Sequence, residues 1–123
     1  MSESANSDAG GSPQITIDDF QRVDIRVGRV LSAEPLVGAR KPSYKLRIDF
    51  GPELGVRQSS AQITVHYTPE DLVGKLALAV VNFPPRRIAG FKSEALTLGV
   101  ADEHGDVVLV APRGDVPLGA RLF

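Results

Sequence analysis

Residues 44 to 50 read Tyr-Lys-Leu-Arg-Ile-Asp-Phe, so Tyr44, Leu46, Ile48 and Phe50 fall on one side of the alternation and Lys45, Arg47 and Asp49 on the other. Side chains along a strand point alternately to opposite faces, so this run predicts a strand with one face buried. Gly51, Pro52, Glu53, Leu54 and Gly55 supply the turn after it, and a further strand is predicted over residues 56–60. Upstream, Val23, Ile25 and Val27 alternate with Asp24 and Arg26 until Gly28 interrupts, and apolar residues resume at Val30 and Leu31. A glycine bend or bulge in a strongly curved first strand is expected there.

Residues 35–42 form a loop, and the chain after residue 60 continues in short pieces. Thr68-Pro69-Glu70-Asp71 is a helix start: Thr68 caps, Pro69 loses no hydrogen bond at the first helical position, and Asp71 can answer the cap. Gly74 ends that helix. Residues 76–81 are almost wholly apolar, which predicts a strand covered on both faces, with a partner subunit a candidate cover for the second. Residues 94–100 are expected to form a strand with Leu96, Leu98 and Val100 inward, and residues 106–111 another after an Asp-Glu-His-Gly turn. Ahead of these elements, residues 17–23 predict a short helical turn capped by Asp18, with Phe20 and Val23 facing the core. The tail, residues 113–123, suggests an irregular arm packed against the body. Many short strands and one helix between the third and fourth predict an all-β fold, a partly open five-stranded barrel. Periodicity alone leaves another small barrel or a sandwich open.

A length of 123 residues fits one compact domain, here residues 15–123 after a disordered leader at 1–14 that has almost nothing apolar to bury. Without a single cysteine, disulfides, thiolate metal sites and thiol nucleophiles are excluded. The two histidines, His66 and His104, would need carboxylates to complete a zinc site, so neither metal nor cofactor is expected. A serine nucleophile paired with His66 lacks the strained elbow motif and a partner acid, and an enzyme is not expected. No apolar run reaches the roughly 20 residues that span a bilayer, and the expected location is the cytoplasm. The net charge of −1 hides an asymmetry, because residues 20–123 keep all 14 basic side chains against 11 acidic ones. That balance permits a polyanionic partner without requiring one.

Residues 82–94, NFPPRRIAGFKSE, are the most unusual stretch. Pro84 and Pro85 stiffen a connection carrying Arg86, Arg87 and Lys92, with Phe83, Ile88 and Phe91 as apolar companions. Guanidinium forks suit phosphates or the carbonyls and carboxylates of a peptide, while aromatic rings can stack on bases or take apolar side chains. Asn82, Ser93, Ser59, Ser60 and Gln62 add neutral donors and acceptors. Core packing for the apolar residues and local capping for the hydroxyls are the plainer readings of the same pattern. Lys45 and Arg47 share a strand face and, with Arg26, are candidates for a basic stripe leading toward the loop.

The runs DFQRVDIRVGRVLSAEP, YKLRIDFGPELGVRQSSAQIT and YTPEDLVGKLALAVVNFPPRRIAGFKSEALTLGV resemble the export-related chaperones of the CsaA group. That group lies within the wider family of transfer-RNA-binding barrel domains, found free-standing or appended to methionyl-tRNA and tyrosyl-tRNA synthetases. The resemblance runs from about residue 18 to the C-terminus and implies a five-stranded Greek-key OB-fold barrel that forms a homodimer through its N-terminal helix and C-terminal segment. It further implies binding of unfolded or precursor polypeptides, cooperation with the protein-export ATPase SecA and no catalysis, with transfer RNA on the same surface as the alternative. Arg86 and Arg87 fall on basic positions of the family loop, and Ser93 matches its serine. Phe83 and Pro84 depart from a lysine-containing approach, and Glu94 stands where many RNA-binding relatives carry an uncharged residue. A carboxylate there is expected to weaken attraction for phosphate, which favours the polypeptide.

Overall fold

The computed structural model describes residues 11–123; most of the expected leader, residues 1–10, lies outside the described residues. Residues 11–14 are exposed and without regular structure. The first element is helix α1, Ile17–Gln21, capped by Thr16 rather than by Asp18. The Thr16 hydroxyl accepts from Asp19 N and the Asp19 carboxylate accepts from Thr16 N, a reciprocal capping box that begins two residues earlier than the expected cap.

Five strands form the barrel sheet. They are β1 (Ile25–Pro35), β2 (Tyr44–Asp49), β3 (Val56–Ala61), β4 (Leu76–Val80) and β7 (Leu96–Thr97), in the antiparallel order β3-β2-β1-β4-β7. One helical turn, α2 (Gly51–Leu54), links β2 to β3, and α3 (Pro69–Leu72) lies between β3 and β4 with Thr68 and Asp71 forming the second capping box. Two hairpins stand outside the sheet: β5 (Arg86–Ile88) with β6 (Phe91–Ser93), and β8 (Gly99–Ala101) with β9 (Val107–Leu109). The nearly closed five-stranded antiparallel barrel with short helices is an OB-fold.

The register explains the glycine in the first strand differently from a bulge. Gly28 stays in step with Ala77 of β4, and the irregularity falls further along, between Val30 and Ser32. A Cβ at position 28 would collide with Ile48 Cγ2 and sit 2.8 Å from the Phe50 ring, so the glycine lets β1 cross closely over β2. Ile48 and Phe50 belong to the inner core with Val30, Leu46, Leu72 and Ala79.

Strand β4 is covered on both faces by its own chain. Ala79 faces the inner core, while Leu78 and Val80 pack with Ile25 and Val27 against Phe20, Val23, Leu98 and Val110. Segments on either side of the barrel therefore supply the second cover, in place of the partner subunit that the sequence offers as a candidate. The C-terminal tail joins this layer as an irregular strand: Val27 N donates to Ala120 O, Gly119 N to Val27 O and Leu122 N to Ile25 O. Leu122 and Phe123 themselves stay exposed, as do residues 113–117, so only the middle of the arm, residues 118–120, is packed.

The expected strand over 94–100 is broken, and of its expected inward set only Leu98 is packed, in the layer that covers β4. Ala95 is buried and Thr97 half-buried, whereas Leu96 and Val100 are exposed. The cause is polar. Ser59 on β3 is fully buried, donates to Ala95 O (2.8 Å) and lies 2.7 Å from Thr97 Oγ1. With its one proton committed to the carbonyl, Ser59 accepts from Thr97, and this bond selects Thr97 for the interior over the neighbouring leucine. Further hydrogen bonds hold β3 to its neighbours. Glu94 N donates to Gln58 O, Gln58 N donates to Glu94 Oε1 (3.0 Å), Ser60 N donates to Ser93 Oγ (3.1 Å), and Arg57 reaches Val81 O (2.9 Å).

Candidate binding site

The stretch after β4 begins with an anchor. Asn82 Oδ1 accepts from Asp24 N (3.0 Å) and its amide nitrogen donates to Arg22 O (2.7 Å), which ties the start of the loop to the segment after α1. Pro84 and Pro85 then hold the backbone extended into β5. A two-residue turn reverses the chain with positive φ at both positions, 51° at Ala89 and 78° at Gly90. Positive φ at both central residues is the signature of a type I′ hairpin, whose twist matches that of the strands it joins.

Cross-strand pairs share a face, so the pairing sorts the hairpin's side chains. Arg86 pairs with Ser93 and Ile88 with Phe91, while Arg87 pairs with Lys92 on the opposite side. The first face looks over an open groove of about 740 Å³. Phe83, Pro84, Pro85, Arg86, Ile88 and Ser93 line it from the hairpin side. Ser60, Gln62 and Ile63 come from the end of β3, and Leu96, Leu98, Val107 and Leu109 form the far wall. Phe83 is half exposed, at 50 %.

Six of the sequence-predicted residues thus meet at one concavity: Ser60, Gln62, Phe83, Arg86, Ile88 and Ser93. Arg87, Lys92 and Phe91 lie on the hairpin but do not line the groove; Arg87 and Lys92 are exposed, and Phe91 is half-buried beside Ile88. Ser59 is sealed in the barrel seam and does not reach the groove, and Asn82, exposed outside it, spends one donor and one acceptor position on the Arg22 and Asp24 backbone. Sequence groups Ser59 with Ser60, yet neighbouring residues on a strand face opposite ways, which puts one inside and the other at the surface.

The basic stripe does not form as a continuous row. Arg26 turns to Asp24, 2.6 Å from Nε to Oδ1, and donates to Gly119 O (3.0 Å), and the carboxylate holds its guanidinium above the ordinary value. Lys45 pairs with Glu34 at 2.8 Å, and Arg47 is left exposed on the outer face of β2. By contrast Arg86, Arg87 and Lys92 form no ion pair among the described residues. Arg87 only touches its own turn, at Gly90 O. The loop around Gly38 lies against Ala89 at the hairpin tip, which brings the exposed Arg40 and Lys41 into the same region of the chain.

Glu94 has a different role from the one its sequence position suggests. Its carboxylate accepts from the Gln58 amide as part of the seam and makes no ion pair with Arg86. Sequence reasoning also missed a cluster at the far hairpin. His66, Asp102 and Asp106 bring ligand-type atoms within 4.8 Å of one another. Asp102 is already engaged through both oxygens: Oδ1 accepts from His104 N and Asp106 N (2.9 Å each), and Oδ2 lies 2.7 Å from His66 Nε2. The arrangement is a turn cap, and the Asp106 amide, followed by His66, holds the Asp102 carboxyl below the usual carboxylate range. The signal was the Asp-Glu-His-Gly turn, but no spacing rule links it to a histidine 36 residues earlier.

Among the described residues no helix is long and apolar enough to cross a membrane. Comparison with known proteins places this geometry among relatives. The chaperone CsaA of Bacillus anthracis superposes with a TM-score of 0.84 at 52% identity, over 90% of this chain and 100% of that one. The CsaA chaperone protein of Picrophilus torridus does so with a TM-score of 0.83 at 45% identity, over 89% of this chain and all of that one (100%). The methionine–tRNA ligase of Clostridium tetani is 39% identical over 110 residues, which are 89% of this chain but 17% of that enzyme. The chain thus spans about a sixth of the length of the ligases it matches. The model of the tRNA_bind family, a tRNA binding domain, matches residues 25–121. With that match across the whole barrel, and the CsaA chaperones and the methionine–tRNA ligases as relatives, the chain belongs to the tRNA-binding domain family.

Proposed function

We propose that the protein is an export-related molecular chaperone that binds unfolded or precursor polypeptides as a homodimer in the cytoplasm, without catalysis. The groove carries this reading: apolar walls, neutral donors at Ser60 and Gln62, and at Arg86 a guanidinium without an acidic partner among the described residues suit a ligand of mixed chemistry. Likeness to CsaA chaperones along the full length of those chains supports it. Cooperation with the export ATPase SecA is part of the proposal and rests on the resemblance alone. The pairing surface proposed is the layer of α1 and the C-terminal residues. Arg121 donates to Gln21 O (2.6 Å) there, and Ile15, Ile17, Leu122 and Phe123 are left exposed. The proposed site comprises the groove residues together with Phe91, Arg87 and Lys92 at its rim.

A second reading, transfer RNA as ligand, is favoured by the family match and by the cations without acidic partners on the hairpin's outer face, Arg87 and Lys92. The deciding experiment titrates the purified protein with a reduced, unfolded polypeptide and with bulk transfer RNA at two salt concentrations, and follows aggregation of a denatured client. Suppressed aggregation and polypeptide binding that survives salt are expected. Transfer-RNA binding with a steep salt dependence and no effect on aggregation would replace the first reading by the second.

A further inference from the structure

We infer that the groove selects extended segments in which an acidic residue neighbours apolar ones, with the carboxylate docking on Arg86. This rests on the polypeptide reading and gives that ligand a chemical class.

Three observations lead there. The hairpin pairing divides its cations, so Arg86 alone faces the groove while Arg87 and Lys92 point away. A chain of phosphates needs a row of cations along its path, whereas a single guanidinium in a groove that Phe83, Ile88 and Leu96 also line fits one carboxylate flanked by apolar groups. The adjacent acid, Glu94, is held at the Gln58 amide and leaves Arg86 without an acidic partner among the described residues. Backbone is also open at the rim. Strand β5 pairs with β6 on one side only, and the Gln62 N–H, beyond the point where Ser60 turns to Ser93, has no hydrogen-bond partner among the described residues. Open strand edges accept extended peptides by main-chain hydrogen bonds, with alternate side chains entering the groove.

Charge complementarity at a partly exposed site is modest, so the acidic and basic versions of one peptide are expected to differ about tenfold in affinity at low salt. The difference should shrink as salt shortens the screening length. The test uses three fluorescent peptides of identical apolar composition carrying Asp, Asn or Lys at the same central positions, titrated into the full-length protein and into its Arg86→Glu variant. Arg113→Glu, outside the groove, serves as the charge control. Expected are the affinity order Asp, Asn, Lys for the parent and the control, and the reverse order for Arg86→Glu, which should melt near the parent temperature because the exposed Arg86 side chain makes no ion pair or hydrogen bond among the described residues. Equal binding of all three peptides overturns the inference and leaves the polypeptide reading in place. Binding of none of them, with transfer RNA still bound, overturns both.

Discussion

Replacing Ser59 by alanine separates a structural hydroxyl from a ligand-binding one. The side chain is fully buried, donates to Ala95 O at 2.8 Å and accepts from Thr97 at 2.7 Å. Alanine leaves a buried carbonyl with no partner but a 3.4 Å approach from Ser93, and it strips Thr97 of its acceptor. Losing one member of such a buried pair costs about 1–3 kcal/mol. For a domain of this size each kcal/mol moves the melting temperature by roughly 3–5 °C, so a fall of about 3–15 °C is expected. Thermal and urea denaturation followed by circular dichroism measure it, with polypeptide titration of the same sample below the transition. Binding of the folded protein should change less than about twofold. A Thr97→Val partner completes a double-mutant cycle in which the pair loses less than the two single changes together. An unchanged melting temperature accompanied by weakened polypeptide binding would show that Ser59 faces the ligand, and its hydroxyl would then have no part in closing the seam.

Gly28→Ala should destabilise by about 1–3 kcal/mol through overpacking, since the added methyl has only the buried Ile48 and Phe50 side chains to displace; urea unfolding measures this. Phe83→Ser should lower polypeptide affinity about fivefold and leave the urea midpoint nearly unchanged, because half of the ring is already in solvent. The Asp102 carboxyl titrates below its unfolded value, so its contribution to stability is complete above about pH 4 and is lost as pH falls through the lowered folded value. Asp102→Asn is therefore expected to flatten the acid limb of stability against pH while β8 and β9 stay paired, as read by urea titrations between about pH 2 and 7.

The YKLRIDF strand, the Thr68 capping box and the Asp-Glu-His-Gly turn are where local pattern puts them, since period, cap and turn chemistry act over a few residues. The strand after residue 94 is the instructive failure. Alternation of Leu96, Leu98 and Val100 predicts an apolar inward face, but at residues 95–97 the fold turns Ala95 and Thr97 inward because Ser59 lies there, and of the predicted three only Leu98 is packed. Hydropathy carries no sign of a hydrogen bond between residues 38 apart in the chain. Among the candidate site residues, the loop 82–94 announces itself by two prolines beside two arginines, whereas the groove next to it emerges only when β3, β7 and the β8–β9 hairpin are brought together.

The amino-acid sequence alone determined that the chain forms an all-β fold of short strands, that it lacks thiol chemistry, and that the stiff basic connection is the candidate place to meet a partner. Each of these follows from residue type and near-neighbour spacing. Only the tertiary structure decided which side chains are available to that partner. It withdrew Ser59 and Arg26 into internal hydrogen bonds, tied Asn82 to the segment after α1, turned Glu94 into a clasp, and divided Arg86 from Arg87 across the hairpin. Availability depends on what lies opposite each group after folding, and long-range register sets that.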